Sequence, residues 1–202
     1  RRLDGDRAAA RRWAMWAAVG VAAWMALTGG LAASGRLAFG PMPPPVMLLF
    51  VGMTALVVGV GCSRVGARLA ALPVWVLVGF QGFRLPVELL LHHGASLGVV
   101  PAEMSWSGYN FDVITGLSAL ALGAVAYRGR LPRAAVIGFE VVGCGLLATV
   151  VVVSILATPA FGVLETRPPN VWITDWPFIW LPTVLVALAL LGHVVLFRRL
   201  RG

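Results

Sequence analysis

The stretch AAVIGFEVVGCGLLATVVVVSILA, residues 134–157, decides the class of this protein. It runs for 24 residues and holds one charged side chain, that of Glu140. A helix needs roughly 20 apolar residues to cross a hydrocarbon core about 30 Å thick. The stretch is therefore predicted to be a membrane-spanning helix.

Similar apolar runs follow one another along the rest of the chain, and connections rich in proline or arginine separate them. We predict six spans, near residues 13–34, 46–62, 71–92, 109–127, 134–157 and 177–197. The predicted fold class is an all-α integral membrane helical bundle, with residues 1–202 forming a single transmembrane domain.

The composition agrees with a lipid environment. Hydrophobic residues make up 59% of the chain and charged residues 12%, against about 25% charged residues in an average soluble domain. The formal net charge of +8 comes from short arginine clusters between apolar runs rather than from one basic face, so we expect no nucleic-acid partner. Membrane lipids are the expected partners, and other membrane subunits are a further candidate.

The arginines predict the orientation of the spans. The N-terminal tail, the second and fourth connections and the C-terminal tail hold 13 of the 16 arginines, whereas the opposite connections hold only Arg36 and Arg167. Cytoplasmic segments of membrane proteins carry such an excess. The bias requires an even number of spans, so both termini are predicted to be cytoplasmic, in the bacterial inner membrane.

The N-terminal run resembles a signal peptide in having arginines before an apolar stretch. It is about 22 residues long, which exceeds a typical signal-peptide core, so we expect it to be retained as a span. The chain begins with Arg1 rather than methionine, from which we expect a truncated or processed chain.

A polar stripe crosses the third run, VGFQGFRLPVELLLHH, residues 78–93. Its members, Gln81, Arg84, Glu88 and His92, are spaced so that they share one helix face. Charged side chains inside a span cost at least roughly 2.5–3.5 kcal/mol each and usually face a partner or a wet cavity. Pro86 lies within the stripe and predicts a kink.

Further polar residues lie on the predicted outer side. Asn110 and Asp112 open the fourth run, and Asp175 precedes the sixth. We predict that they join the polar stripe in an outward-facing pocket, with these binding residues: Gln81, Arg84, Glu88, His92, Asn110, Asp112 and Asp175. Arg84 needs a carboxylate partner, for which Glu88 is the first choice and Asp112 the second.

A second, weaker site is predicted in the inner half. Glu140 and His193 lie there on the fifth and sixth spans, at depths from which they could pair. Snorkelling or local hydrogen bonds explain a lone Glu and a lone His more simply.

The residues and their spacing give little support to a bound cofactor or to an enzyme. His92 and His193 lie near opposite surfaces and cannot share a haem, and the outer residues lack a spacing typical of zinc ligands. Ser96 sits in GASLG, which matches a nucleophile elbow but lacks the strand–turn–helix context. Cys62 and Cys144 are predicted to be buried small hydrophobes. We therefore expect no catalytic residue, metal or cofactor.

Three blocks carry a resemblance. They are FRLPVELLLH (83–92), GYNFDVITG (108–116) and WPFIWLP (176–182), and His193 follows the last. Over residues 79–197 the chain resembles an uncharacterised family of small bacterial multispanning membrane proteins. The resemblance implies that Arg84, Glu88, His92, Asn110, Asp112 and His193 are recurring polar positions, and it implies no activity.

Two functions follow from these observations. The first is binding or translocation of a small solute or ion through the outward-facing pocket. The second is an accessory subunit that packs against a larger membrane complex, with the polar stripe serving only to hold the helices together. An enzyme ranks third.

Overall fold

The computed structural model describes residues 2–129 and 131–202, with side chains from Ala8 onward. This part of the chain contains no β-strand, which confirms the predicted all-α class. Its α-helices are α1 (Arg2–Ala33), α2 (Pro45–Cys62), α3 (Arg64–Ala70), α4 (Val74–Phe80), α5 (Arg84–Ser96), α6 (Val113–Arg128), α7 (Arg133–Leu156) and α8 (Val186–Arg201).

Within the described residues, five segments are long and apolar enough to cross a membrane. They are Ala8–Ala33, Pro45–Cys62, Val74–Ser96, Arg133–Leu156 and Leu181–Arg201. Helix α6 is also apolar but has 16 residues, or roughly 24 Å of helix. The helices therefore form a bundle suited to a membrane.

The third span lies further along the chain than the predicted 71–92. It begins after Pro73 and continues to Ser96, and a 3₁₀ turn at Gln81–Phe83 joins α4 to α5. Pro86 has no N–H to give to the carbonyl of Gly82, so the helix is distorted at this turn. Because the span runs from Val74 to Ser96, Arg84 lies near its middle, whereas the predicted bounds of 71–92 place Arg84 in the outer half.

Helix α6 begins at Val113, later than the predicted start of the fourth span at 109. The Asn110 side chain explains the delay. Its Nδ2 donates to the Met104 carbonyl at 3.0 Å, and its Oδ1 accepts from the Asp112 N–H at 3.1 Å. Such side-chain bonds to the backbone compete with helix formation.

The C-terminal span also begins later than predicted, at Leu181 rather than 177. A 3₁₀ turn at Trp172–Thr174 and a bend that contains Pro177 precede it, and a π-helical turn at Leu181–Leu185 leads into α8. Pro182 lies inside that π-helical turn and cannot donate a helix hydrogen bond. The helix then runs to Arg201, which moves His193 deeper than the sequence indicates.

Glycines allow α6 to pack closely against α4 and α5. A Cβ built on Gly123 would lie 2.9 Å from the Gly79 Cα, and one built on Gly116 would lie 2.5 Å from the Leu85 nitrogen. Small residues permit such approaches between helices in lipid. The contact at Gly116 brings the start of α6 beside the start of α5.

The arginine-rich segments meet at one end of the bundle. The Arg68 guanidinium lies 4.9 Å from the centre of the Trp13 ring, and Arg198 Nη1 donates to the Ser63 carbonyl at 2.8 Å. Arg133 donates to a carbonyl near the end of α8. Four arginines of these segments lie outside the described part: Arg1, Arg130 and the side chains of Arg2 and Arg7.

Helix α1 lies at an edge of the bundle, whereas α8 packs against α2, α3, α4 and α7. Two indole N–H groups attach α1. Trp24 Nε1 donates to the Thr183 carbonyl at 2.9 Å, and Trp180 Nε1 donates to the Met25 carbonyl at 3.1 Å. The rest of α1 is mostly exposed to the surroundings of the bundle.

Candidate functional site

An ion pair between Arg84 and Asp112 lies at the centre of the candidate site. Both side chains are buried, and Asp112 Oδ2 contacts Nε and Nη2 of Arg84. The sequence-based first choice of partner, Glu88, is therefore wrong. Asp112 instead reaches the guanidinium from the neighbouring helix, where Gly116 permits close packing.

The ion pair continues into α8 and α7. Arg84 Nη1 lies 3.0 Å from His193 Nε2, and His193 Nδ1 lies 3.1 Å from Glu140 Oε2. A guanidinium only donates hydrogen bonds. His193 Nε2 must then accept, which assigns the ring proton to Nδ1, where it is donated to Glu140. This hydrogen-bonding pattern corresponds to a neutral imidazole.

The two predicted groups of polar residues are thus one cluster, and their separation into outer and inner sites is corrected. The shifts of the third and sixth spans explain the difference, because they bring Arg84 and His193 to a common depth. We call Arg84, Glu88, Asp112, Glu140 and His193 the polar cluster. Each of these residues is at most 5% exposed.

The polar cluster has more carboxyl groups than positively charged groups. It contains three carboxyl groups and one guanidinium. Among the described residues, neither Glu88 Oε2 nor Asp112 Oδ1 has a hydrogen-bond partner, although both atoms are buried. A buried acceptor without a partner costs about 1–3 kcal/mol. These two oxygens are therefore available to a donor that enters the site.

Gln81 and Asn110 do not belong to the polar cluster, but their side chains bind the backbone of the segments that carry it. Gln81 Nε2 donates to the Ala189 carbonyl at 3.0 Å, and a Cβ on Gly192 would lie 2.5 Å from that nitrogen. Gln81 thereby ties the third span to α8. Asn110 shapes the turn before α6 and so positions Asp112.

His92 does not join the polar cluster, contrary to the sequence-based expectation. It is half-buried, its ring stacks on Trp106 with centroids 4.0 Å apart, and its Nδ1 lies 3.5 Å from Ser107 Oγ. Helix α5 continues past His92 to Ser96, and the following loop folds back against it. The side chain therefore meets this loop rather than the bundle interior.

Asp175 also lies apart from the polar cluster. The C-terminal span begins only at Leu181, so Asp175 remains in the preceding bend, where it is exposed. Its carbonyl accepts from the Ile179 N–H at 2.9 Å. The backbone of Asp175 therefore helps to form the bend. The prediction that Asp175 belongs to the pocket is corrected.

Two site residues escape the sequence-based list. A Cβ on Gly143 would lie 2.7 Å from His193 Cε1, so glycine makes room for the imidazole. Cys144 Sγ donates to Glu140 Oε1 at 3.5 Å. Their spacing of three and four residues from Glu140 was the available signal, because it places them on its helix face. Cys144 and Cys62 are exposed, so their predicted burial is wrong.

Two residues of the polar cluster form a candidate metal-ligand set with Cys144. Atoms of Glu140, Cys144 and His193 all lie within 4.8 Å of one another. A metal on His193 Nδ1 would move the ring proton to Nε2, where it would face the N–H of Arg84. The guanidinium charge would also repel a cation at this distance. The geometry therefore favours the hydrogen-bonded chain over metal coordination.

Two neighbouring cavities lie in this part of the bundle. A small one, of about 30 Å³, is bounded by Arg84, Glu88 and Asp112 together with apolar side chains. A larger apolar one, of about 260 Å³, lies between α2, α7 and the C-terminal span. Three residues line both cavities: Val150, Leu181 and Val186. The small cavity, which the polar cluster bounds, therefore shares part of its apolar wall with the larger one.

Comparison of the chain with models of protein families, with curated proteins and with solved structures gave no match. The resemblance to a bacterial membrane family therefore stays a prediction.

Proposed function

We propose that this protein is a multi-pass membrane protein that binds a small solute or ion at the polar cluster. The unpartnered carboxylate oxygens of Glu88 and Asp112 carry the proposal. A network that only holds helices together gains from satisfying every buried polar atom, because each unsatisfied one destabilises the fold. A site that receives a cation or a hydrogen-bond donor needs such atoms. Translocation is compatible with the position near mid-span, where transporters bind substrates.

We infer further that α6 makes a sixth crossing and that both termini lie in the cytoplasm of a bacterium, with the protein in the inner membrane. The convergence of Arg68, Arg133 and Arg198 at one end of the bundle supports this topology. So does the excess of 13 arginines over two across the connections. Helix α6 packs against α4, α5 and α7, so neighbouring helices accompany it through the membrane.

Cysteine labelling tests the topology. The exposed Cys62 and Cys144 are first replaced by alanine, and single cysteines are placed at Ser96, Glu165 or Gly129. In intact cells an impermeant thiol reagent is expected to label the first two positions and to leave Gly129 unlabelled. Permeabilised cells provide the control, because all three positions are then accessible. Labelling of Gly129 alone in intact cells would contradict the topology.

Thermal unfolding in lipid nanodiscs tests solute binding. Sodium and methylammonium chloride are the probes, and choline chloride at equal ionic strength is the control, because its head is too bulky for the small cavity. A saturable rise in Tm with either probe is expected for the natural sequence, since a ligand that binds only the folded state stabilises it. The rise is expected to vanish in Glu88→Gln and to persist in Glu165→Gln, which changes an exposed carboxylate. Equal responses to all three salts would count against the proposal.

The alternative, an accessory subunit, has one observation in its favour. Only 11% of the most apolar window of the first span is buried, and Trp16 and Leu27 on it are exposed. A partner helix would cover such a surface, although lipid covers it equally well. Under this alternative the polar cluster would only hold the helices in register.

A further inference from the structure

We propose that the ligand of the polar cluster is a lipophilic molecule with a small head that donates hydrogen bonds, and that it enters from the lipid through the larger apolar cavity. This inference rests on the proposed function. It adds a chemical class, alkyl or isoprenoid compounds that end in a hydroxyl or amino group, and a route to the site.

The larger cavity has the size and the walls for an apolar chain. Its volume of about 260 Å³ exceeds the roughly 150 Å³ of an engineered cavity that binds benzene. The wall includes two hydroxyl-bearing residues, but their oxygens are engaged. Ser154 Oγ accepts from Asn170 Nδ2 at 2.9 Å, and Thr158 Oγ1 donates to the Ile155 carbonyl at 2.7 Å. The cavity therefore offers carbon surface to its occupant.

The small cavity at the inner end of this route limits the size and the charge of the ligand's head. The small cavity of about 30 Å³ has room for a group about the size of one water molecule. A phosphate headgroup is too large for it, and the carboxylates of Glu88 and Asp112 would repel its charge. A hydroxyl group fits and can donate to one of the two oxygens, Glu88 Oε2 or Asp112 Oδ1, whereas an ammonium group has enough N–H donors for both. Glu88 is 2% exposed and Asp112 4%.

The mouth of the larger cavity faces the surroundings of the bundle. Val51 on α2 and Phe161 after α7 line the cavity and are 65% and 53% exposed. The cavity is lined by the first residues of α2 and the last residues of α7, whereas the polar cluster lies near mid-span. A bound molecule would thus have its head deeper than its tail, opposite to a bilayer phospholipid. Compounds with small heads are able to adopt this orientation inside the hydrocarbon core.

Photolabelling in nanodiscs tests this inference. The probes are a long-chain alcohol with a mid-chain diazirine and the matching alkane without the hydroxyl, and adducts are mapped by mass spectrometry. The alcohol is expected to label cavity-lining residues of α2 and α7. Excess 1-decanol or decylamine should compete with this labelling, and decane should compete more weakly. Competition by decanol alone or decylamine alone distinguishes a hydroxyl head from an amine head.

Matched variants separate the cavity from the polar cluster. Val151→Trp fills the cavity and should abolish labelling by both probes, whereas Val152→Trp, on the exposed side of α7, should change neither. Glu88→Leu should reduce labelling by the alcohol about tenfold, as expected for the loss of a hydrogen bond to a charged group, and leave the alkane unaffected. Thermal unfolding monitors folding, and Ile155→Trp replaces Val151→Trp if that variant does not fold.

Two results would overturn the inference. Labelling that survives a tryptophan substitution in the cavity of a folded variant would exclude the route. Labelling that depends on the cavity but not on Glu88 would show that the cavity holds a lipid tail only. Either result leaves the response to sodium and methylammonium as an independent test of solute binding. Conversely, labelling that depends on the hydroxyl and on Glu88 supports the lipophilic ligand even when neither salt raises the Tm.

Discussion

The first span, Ala8–Ala33, and the third, Val74–Ser96, have equal mean hydropathy but different places in the molecule. Of their most apolar windows, 11% is buried in the first and 39% in the third. The first span contacts the bundle along one edge, through Trp24 and the Met25 carbonyl. The third carries Gln81, Arg84 and Glu88 into the interior. Average apolarity thus identifies a span, whereas the position of its polar residues indicates which spans form the centre of the bundle.

The largest loss of stability is expected on substitution of Arg84, the buried charge of the third span. Arg84→Met leaves Asp112 buried without its partner and should destabilise the protein by about 3–5 kcal/mol. Combining Arg84→Met with Asp112→Leu removes both charges and should recover most of this loss. Denaturant or thermal unfolding in detergent measures both values. A loss below about 1 kcal/mol in the single variant would contradict the central position of the ion pair.

The same pair of substitutions separates the two candidate functions. If the polar cluster binds a solute, the double variant regains stability but not the cellular role, measured by complementation of a deletion strain. If the cluster only holds helices together, both stability and cellular role return. Recovery of both would therefore favour the accessory subunit.

An intermediate loss of stability is expected on substitution of Gly143, where α7 faces the polar cluster. Gly143→Ala would place a Cβ 2.7 Å from His193 Cε1, and overpacking of this kind typically costs about 1–3 kcal/mol. Gly145→Ala on the same helix is the matched control, because no atom lies within 4 Å of its added Cβ. The difference in unfolding free energy between the two variants measures the effect. Equal stability would show that His193 moves aside without loss.

The smallest loss of stability is expected on substitution of Trp180, which attaches α1 to the edge of the bundle. Trp180→Phe removes the indole N–H that donates to the Met25 carbonyl, which should cost about 0.5–1.5 kcal/mol. Proteolysis of α1 in detergent should become faster, because the helix is attached at few points. Trp16→Phe is the control, since Trp16 is largely exposed and should change stability by less than about 0.5 kcal/mol. A larger effect at Trp16 would indicate that a partner covers this surface.

The sequence by itself determined the all-α class and most of the membrane-spanning segments, because apolar runs of sufficient length have few alternatives in a lipid environment. It also identified Arg84, Glu88, Asp112, Glu140 and His193 as polar residues within apolar surroundings. Prolines marked the breaks between helices. These features depend on local composition, which a single sequence contains.

Only the tertiary structure decided how the polar residues combine. A shift of four residues along a helix moves a side chain by roughly 6 Å in depth, so small errors in span boundaries separated His193 from Arg84. The choice of Asp112 over Glu88 depends on Gly116, which sets the distance between two helices. The position of His92 depends on the loop that folds against it. Contacts between distant segments depend on how helices pack, and that packing leaves only a weak trace in the spacing of residues along one helix.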